Sequence, residues 1–346
     1  GKTYYTDFPT TPGAYDQELN TKRYKIFISK LSNDGSNLIF STFLGTSEGF
    51  DTITAQDIAV DNNNNVYVTG NVRLSKFPTT QKAYQHEYAG IEDDVFVTKF
   101  NSQGTTLLFS TLIGGTNEDI STGIAVDSNE EVYICGFTES ENYPTTPGAI
   151  QKTYLGSNPT SHYNGFVTKI NSDGSELVYS TFLSGSKFPG ASGFYQRTKI
   201  SDIAVNAQGE VFITGSTEGQ YYPTTPDAFQ KTIRSIYVND AVLTWFSSDG
   251  GHLIYSTYLG GEYSDMSNAL AVNEKGDVAI AGYTNSYAFP ITPGTVDDSL
   301  FLWEGDIKAI DWDAFIFRFH FNDGPEGVET SPNPAEFRIT GGHPNP

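Results

Sequence analysis

The chain has 346 residues, a formal net charge of −21 and a pI near 4.4, a surface that repels nucleic acid and anionic lipid and excludes both as expected partners. Aromatic residues make up 14% and there are 34 glycines, a mixture that suits many short strands joined by turns. No apolar run is long enough to cross a bilayer as a helix, and no amphipathic helix of convincing length is present.

Taken in order, the chain opens on Gly1-Lys-Thr3, which reads as the tail of a strand and predicts further sequence upstream. Then comes Phe8-Pro-Thr-Thr-Pro-Gly-Ala-Tyr-Asp-Gln17, which returns in related form from Phe77, Tyr143, Tyr222 and Phe289. The first prolines of the five copies are Pro9, Pro78, Pro144, Pro223 and Pro290, separated by 69, 66, 79 and 67 residues. A long period held this well means an array of similar structural units.

Three further phrases fill each period. One is a strand ending in Lys or a substitute: Ile26-Phe-Ile-Ser-Lys30, Val95-Phe-Val-Thr-Lys99, Phe166-Val-Thr-Lys169, Ala241-Val-Leu-Thr-Trp245 and Phe315-Ile-Phe-Arg318. A tight turn such as Asn33-Asp-Gly35 or Ser172-Asp-Gly174 follows, and glycine there accepts positive φ. The return strand carries a Ser-Thr pair, as in Leu107-Leu-Phe-Ser-Thr-Leu-Ile113. The third phrase is itself a hairpin, as in Ile58-Ala-Val-Asp61 to Val66-Tyr-Val-Thr-Gly70. Each period therefore predicts four strands in an up-down meander, here called A (Ile-Ala-Val-Asp), B (Val-Tyr-Val-Thr-Gly), C (ending in Lys) and D (with Ser-Thr). Four-stranded sheets repeated in this way make an all-β, β-propeller architecture with about five blades visible. Residues 1–322 form the repeats, with the first blade incomplete. Residues 323–346 read as a linker and tail, with a closing strand expected at 335–340.

Together these phrases resemble the SBBP family of bacterial β-propeller repeats over residues 1–322. That resemblance implies an exported bacterial protein, found beside adhesion-like modules, with no catalytic residues to transfer. The chain departs from the seven blades of the family name, and its third period carries an insertion around 187–195. A second resemblance rests on Pro332-Asn-Pro334 and Pro344-Asn-Pro346, which look like the opening of a type IX secretion sorting domain.

The chemistry-bearing residues are few. The single cysteine, Cys135, shares a strand face with Tyr133 and reads as a small buried hydrophobe. Histidines fall in unrelated contexts, and no nucleophile elbow, His-Glu-x-x-His motif or phosphate loop occurs. Asp93, Asp94, Asp311 and Asp313 precede C strands and suggest calcium, which takes six to eight oxygens; the bland alternative is that such acids pin loops. The Asx-rich turn from Asp61 to Asn65 reads as a plain hairpin turn. Features recurring in every period argue for structure, so binding is expected where the periods differ. Those positions are Phe188, Phe194, Tyr195, Tyr221, Trp303 and Trp312.

In such a meander the B–C and D–A connections share one end of each sheet, and these are the long ones. Long loops above a rigid scaffold carry binding. The expectation is a non-enzymatic module, extracellular or on the outer cell surface, whose long-loop face holds a protein, a glycan or a neighbouring copy. Two other readings stand beside it: a secreted lyase or glycosidase with a site at the propeller mouth, and an architectural subunit of a surface layer or filament.

Overall fold

The computed structural model describes residues 1–19, 24–45, 52–73, 76–156, 162–186, 197–235, 238–292 and 312–321. All regular structure among them is β. The first sheet is β1 (Lys2–Thr3), β2 (Lys25–Leu31) and β3 (Leu38–Leu44), in that order. The second is β4 (Ile53–Val60), β5 (Val66–Val72), β6 (Asp94–Phe100) and β7 (Leu107–Ile113). The third repeats this with β8 (Asp119–Val126), β9 (Val132–Thr138), β10 (Asn164–Ile170) and β11 (Leu177–Leu183). The fourth has β12 (Thr198–Val205), β13 (Val211–Thr217), β14 (Asp240–Phe246) and β15 (Leu253–Leu259). The fifth comprises β16 (Asp265–Val272), β17 (Val278–Thr284) and β18 (Asp313–Phe319).

This is the expected antiparallel meander, the β-propeller blade pattern, with four strands in the second, third and fourth sheets and three described in the first and fifth, and with neighbours in sequence neighbours in the sheet. Gly1-Lys-Thr3 does supply a B strand: Lys2 pairs Ile26 and Thr3 pairs Lys25. The expected closing strand at 335–340 lies outside the described residues. Strand A is longer than its phrase. In the second sheet it starts at Ile53, because a bulge between Ala55 and Asp57 lets the earlier residues pair on to Val72. The same bulge recurs at Ser121/Gly123, Ile200/Asp202 and Ser267/Ala269. A bulge re-aims one side chain, and here it serves Asp57 and Asp202. Asp57 accepts from Ile124 N on the next A strand at 2.9 Å, and Asp202 from Leu270 N at 2.8 Å.

The chain divides into two compact units, one of Gly1–Tyr154 with Phe166–Thr181, the other of Leu155–Gly165 with the chain from Phe182 onward. In the second and fourth sheets the central strands B and C (β5, β6, β13 and β14) are buried from end to end, which is why they read as near-continuous apolar runs. Cys135 is fully buried, as its position predicts.

The recurrent Pro-Thr-Thr-Pro phrase docks along the outer edge of strand D. Thr80 N donates to Ser110 O at 2.9 Å and Ser110 N donates to Thr80 Oγ1 at 3.0 Å. Five residues on, Gln85 N donates to Thr111 Oγ1 at 3.1 Å and Leu112 N to Gln85 O at 3.0 Å. The same bonds join Thr11 to Ser41, Thr146 to Ser180 and Thr225 to Ser256. The long loop thus covers the edge of D, which would otherwise offer unpaired backbone to another chain.

The phrase offers two positions for aromatics, the second filled by Tyr15, Tyr84 and Phe229 but by Ile150 in the third copy and Val296 in the fifth. The first packs on the C strand of its own sheet: Phe77 on Phe96 with ring centroids 4.9 Å apart, Phe289 on Phe315 at 4.6 Å. The second makes the crossing to the next sheet. Tyr15 meets Phe100 edge-on at 5.7 Å, and Phe229 meets Phe317 at 5.8 Å. The Lys that ends strand C meets an acidic turn, that of the next sheet for Lys99 and that of its own sheet for Lys169. Lys99 lies over the Tyr67 ring and pairs with Glu130 at 2.6 Å; Lys169 lies over Tyr133 and pairs with Glu131 at 2.6 Å. Trp245 takes that position in the fourth sheet and stacks on Phe212 at 4.9 Å.

Candidate binding site on the fourth long loop

The acid groups separate on folding. Asp93 turns to its own sheet's rim, accepting from Arg73 Nε at 3.0 Å and Thr52 Oγ1 at 3.2 Å, with Asn71 Nδ2 on its other oxygen. Asp94 turns inward, where Gln85 Nε2 and Ala89 N both donate to its Oδ2 at 2.9 Å. Asp313 opens β18 opposite Thr284, and Asp311 lies outside the described residues. Calcium needs six or more oxygens, whereas most of what surrounds Asp93 and Asp94 consists of N–H and O–H donors. No three His, Cys, Asp or Glu side chains among the described residues form a metal-sized group. The surroundings of Asp93 and Asp94 therefore do not supply such an oxygen set. The Asx-rich turn is a hairpin turn: Asp61 Oδ1 accepts from Asn63 N and Asn65 N at 2.8 and 2.9 Å, and Asn64 takes the left-handed φ of 62°.

Of the aromatic positions singled out, Phe188, Phe194, Tyr195 and Trp303 lie outside the described residues. Tyr221 and Trp312 are both on the B–C end of the second unit. Trp312 is 46% exposed and meets Tyr283 edge-on at 4.9 Å. Tyr221 is 52% exposed and lines a cavity of about 430 Å³ with Gln220, Tyr222, Thr224, Lys231, Thr232 and Ile233. That volume lies within the range of small-molecule sites, about 300–1,000 Å³.

Local chemistry builds this cavity. Tyr222 is the loop's first aromatic and is buried; its N donates to Tyr258 Oη at 2.9 Å, and its hydroxyl shares a 2.7 Å hydrogen bond with Thr244. Tyr258 Oη in turn donates to Gly219 O at 2.7 Å. With the residues on both sides anchored, Tyr221 is held facing outward. Its backbone N and that of Gln220 both approach Ser186 O, at 3.4 and 3.1 Å. The far wall is tied by Thr224 Oγ1 donating to Lys231 O at 3.3 Å and Gln230 Nε2 donating to Thr232 O at 3.0 Å. Gln220 Oε1 is a buried acceptor without a hydrogen-bond donor, which is costly to the fold.

A half-exposed phenol, an amide, two threonine hydroxyls and an ammonium can grip a polar, ring-shaped ligand. Tyrosine offers an apolar face with a polar tip, and the threonines and Lys231 offer hydrogen-bonding groups. Tyr221 was legible because its counterparts are Asn142 and Ala288. Gln220 was missed, although its counterparts Glu141 and Tyr287 differ as much. Lys231 and Thr232 gave no signal, since they follow the repeated phrase without interrupting it.

Comparison with known proteins bears on the fold. A family model described as a β-propeller repeat, SBBP, matches residues 39–71 and 108–144. A regulatory protein, FlaEY, from Caulobacter vibrioides is 24% identical over 212 residues, which is 61% of this chain and 19% of that protein. The chain therefore spans about a fifth of the length of that relative. Among solved structures, the phage phi92 endosialidase aligns over 92% of this chain and 53% of its own, at 9% identity and TM-score 0.43. A protein of unknown function from Dyadobacter fermentans aligns over 77% of this chain and 66% of its own, at 12% identity and TM-score 0.39. A gluconolactonase from Xanthomonas campestris aligns over 75% of this chain and 66% of its own, at 13% identity and TM-score 0.32. Likeness at this level says nothing of activity.

Proposed function

We propose that this chain, a carrier of SBBP β-propeller repeats, is a non-enzymatic exported module that binds a glycan at the cell surface through its long loops. The observation that supports this reading is the cavity beside Tyr221, whose lining offers aromatic and hydrogen-bonding groups but no carboxylate or imidazole. The repeats supply rigidity, and the departure from the repeat supplies the site. A glycan suits it because sugar rings present a C–H face to stack on a phenol and hydroxyls that serve the threonines and the Lys231 ammonium. Display from the surface, rather than turnover, is the mechanism: the loop is pinned to strand D before any ligand arrives, so little ordering entropy is lost on binding.

The test is a glycan array probed with the labelled protein and with Tyr221→Ala. The reading expects at least one saccharide class to bind, and the variant to weaken it by tenfold or more, about 1.4 kcal/mol. Absence of binding to every glycan, or binding that ignores the substitution, would sink it. Surface proteolysis of intact cells tests the location separately.

A further inference from the structure

Two pairs of buried carboxylates meet where one sheet follows the next. Asp94 opens β6 and Asp119 opens β8; Asp240 opens β14 and Asp265 opens β16. All four are fully buried. Within each pair the carboxylates converge on a glycine. A side chain on Gly114 would begin 2.5 Å from Asp94 Oδ1 and 2.9 Å from Asp119 Oδ2; one on Gly260 would begin 2.8 Å from Asp240 Oδ1 and 2.7 Å from Asp265 Oδ2. The second acid of each pair is saturated. Asp119 accepts from Thr138 Oγ1, from Gly115 N at 2.7 Å and from Ser140 Oγ at 3.0 Å, and Asp265 accepts from Thr284 Oγ1, from Gly261 N at 2.7 Å and from Ser286 Oγ at 2.8 Å. The first acid of each pair is not. Asp94 Oδ1 and Asp240 Oδ1 are buried atoms with no hydrogen-bond partner.

The third join shows that these residues act as a set. There Asn164 replaces the first acid, Thr198 the second, Ser184 the glycine and Gly219 the serine. With both acids gone, Ser184 Oγ fills the space and donates to Thr198 Oγ1 at 3.0 Å. At the joins between described sheets, both carboxylates are present or both are absent. Two anions in a dry site repel by several kcal/mol even at an effective dielectric of about 20, so something positive must sit between them. The shell of N–H and O–H donors leaves no oxygen set for a metal ion, and the orphan oxygen needs only a hydrogen.

We propose that Asp94 with Asp119, and Asp240 with Asp265, each share one proton, so that each pair is an acid–carboxylate latch between consecutive sheets that loosens when the proton leaves. The proton belongs to the pair rather than to either acid, and it serves Asp94 Oδ1 and Asp240 Oδ1, the oxygens that no other donor reaches. Burial pushes Asp94 up to about 6, Asp119 and Asp240 up to about 8, and Asp265 upward as well. Facing the first pair are Asp93 and the phenols of Tyr88 and Tyr143. Facing the second are Arg234, Glu262 and the phenol of Tyr258. An acid whose folded pKa is raised favours folding fully below its unfolded value of about 4, and that contribution is lost as pH climbs through the folded value, here about 6 to 8.

The test follows thermal unfolding from about pH 5 to about pH 9 in the intact protein, in Asp240→Asn, and in the fourfold change Asp240→Asn, Asp265→Thr, Gly260→Ser, Ser286→Gly. That last set copies the third join and keeps the experiment decisive if the single change fails to fold. The expected result is a midpoint that falls by several degrees in the natural protein and falls less in the fourfold variant. An infrared band of a protonated carboxyl at neutral pH should weaken in the same variant. Equal pH slopes in both proteins would overturn the latch. So would a midpoint raised by calcium in the natural protein alone, which would put a cation where the proton is placed.

Discussion

At the scale of single residues, identical sequence signals carry different weights. The C–D turns at Gly35 and Gly104 read alike, and both glycines are left-handed, with φ of 72° and 67°. Gly35 faces open space, whereas a side chain on Gly104 would begin 2.3 Å from Phe40 of the preceding sheet. Gly104 O also accepts from Tyr15 N at 2.9 Å, so the turn is a joint between sheets as well as a hairpin. Gly35→Ala is therefore expected to cost about 1–2 kcal/mol, the left-handed penalty alone, and Gly104→Ala a further 1–3 kcal/mol for overpacking. Urea titration of the two variants checks this; equal midpoints would show that the turn does not bear on the neighbouring sheet. The sequence marks both turns equally because the ring that separates them lies about 64 residues upstream of Gly104, beyond the reach of local pattern reading.

At the scale of elements, the strands were legible and the reason for their composition was not. Alternation and turn residues place B, C and D to within a residue or two. The Ser-Thr pair of D, however, reads as ordinary strand content. Its role appears only when the upstream loop is laid along it: Thr111 is fully buried, and its Oγ1 accepts from Gln85 N at 3.1 Å while donating to Leu112 O at 3.1 Å. Thr111→Val keeps the shape and removes the acceptor. It should cost about 1–3 kcal/mol through the stranded Gln85 amide, and hydrogen exchange at Gln85 should speed up while that of Val97, in the centre of β6, stays protected. Slow exchange at Gln85 in the variant would mean that the loop is held by its aromatics instead. The substitutions at the end of strand C follow a similar logic. Lys99 and Lys169 have acidic turns to meet, while Trp245 has the Phe212 ring, and only the second member of each pair tells which residue belongs there.

At the scale of the whole molecule, the repeat announced the fold and the exceptions to it announced half of the site. Tyr221 stood out against Asn142 and Ala288, but the cavity it lines also needs Lys231 and Thr232, which no comparison between periods distinguishes. The acid pairs were visible only as separate residues, because each carboxylate opens a different strand, and their meeting depends on one sheet following another. Two effects then act together on the molecule's response to pH. The charge of −21 at neutral pH makes the compact state repel itself more strongly as pH rises above the pI near 4.4. The buried pairs lose their protons over the upper part of the same range, with Asp94 held up to about 6 and Asp119 and Asp240 to about 8. Opposing them are turn acids such as Asp34, which hydrogen bonds from Ser32 and Ser36 lower to about 2; hydrogen bonds from Ser175 and from Ser247 also lower Asp173 and Asp249. These contribute above the unfolded carboxylate value of about 4 and are lost only on acidification; being exposed, they are screened and weak. Stability is therefore expected to peak at mildly acidic pH, about 4.5 to 5.5, and to fall toward about pH 8.5. Salt separates the two causes. At about 1 M NaCl the Debye length is about 3 Å, so surface repulsion vanishes while the buried pairs, out of contact with solvent, are untouched. A decline in midpoint that survives in salt belongs to the carboxylate pairs, and a decline that salt abolishes belongs to the surface.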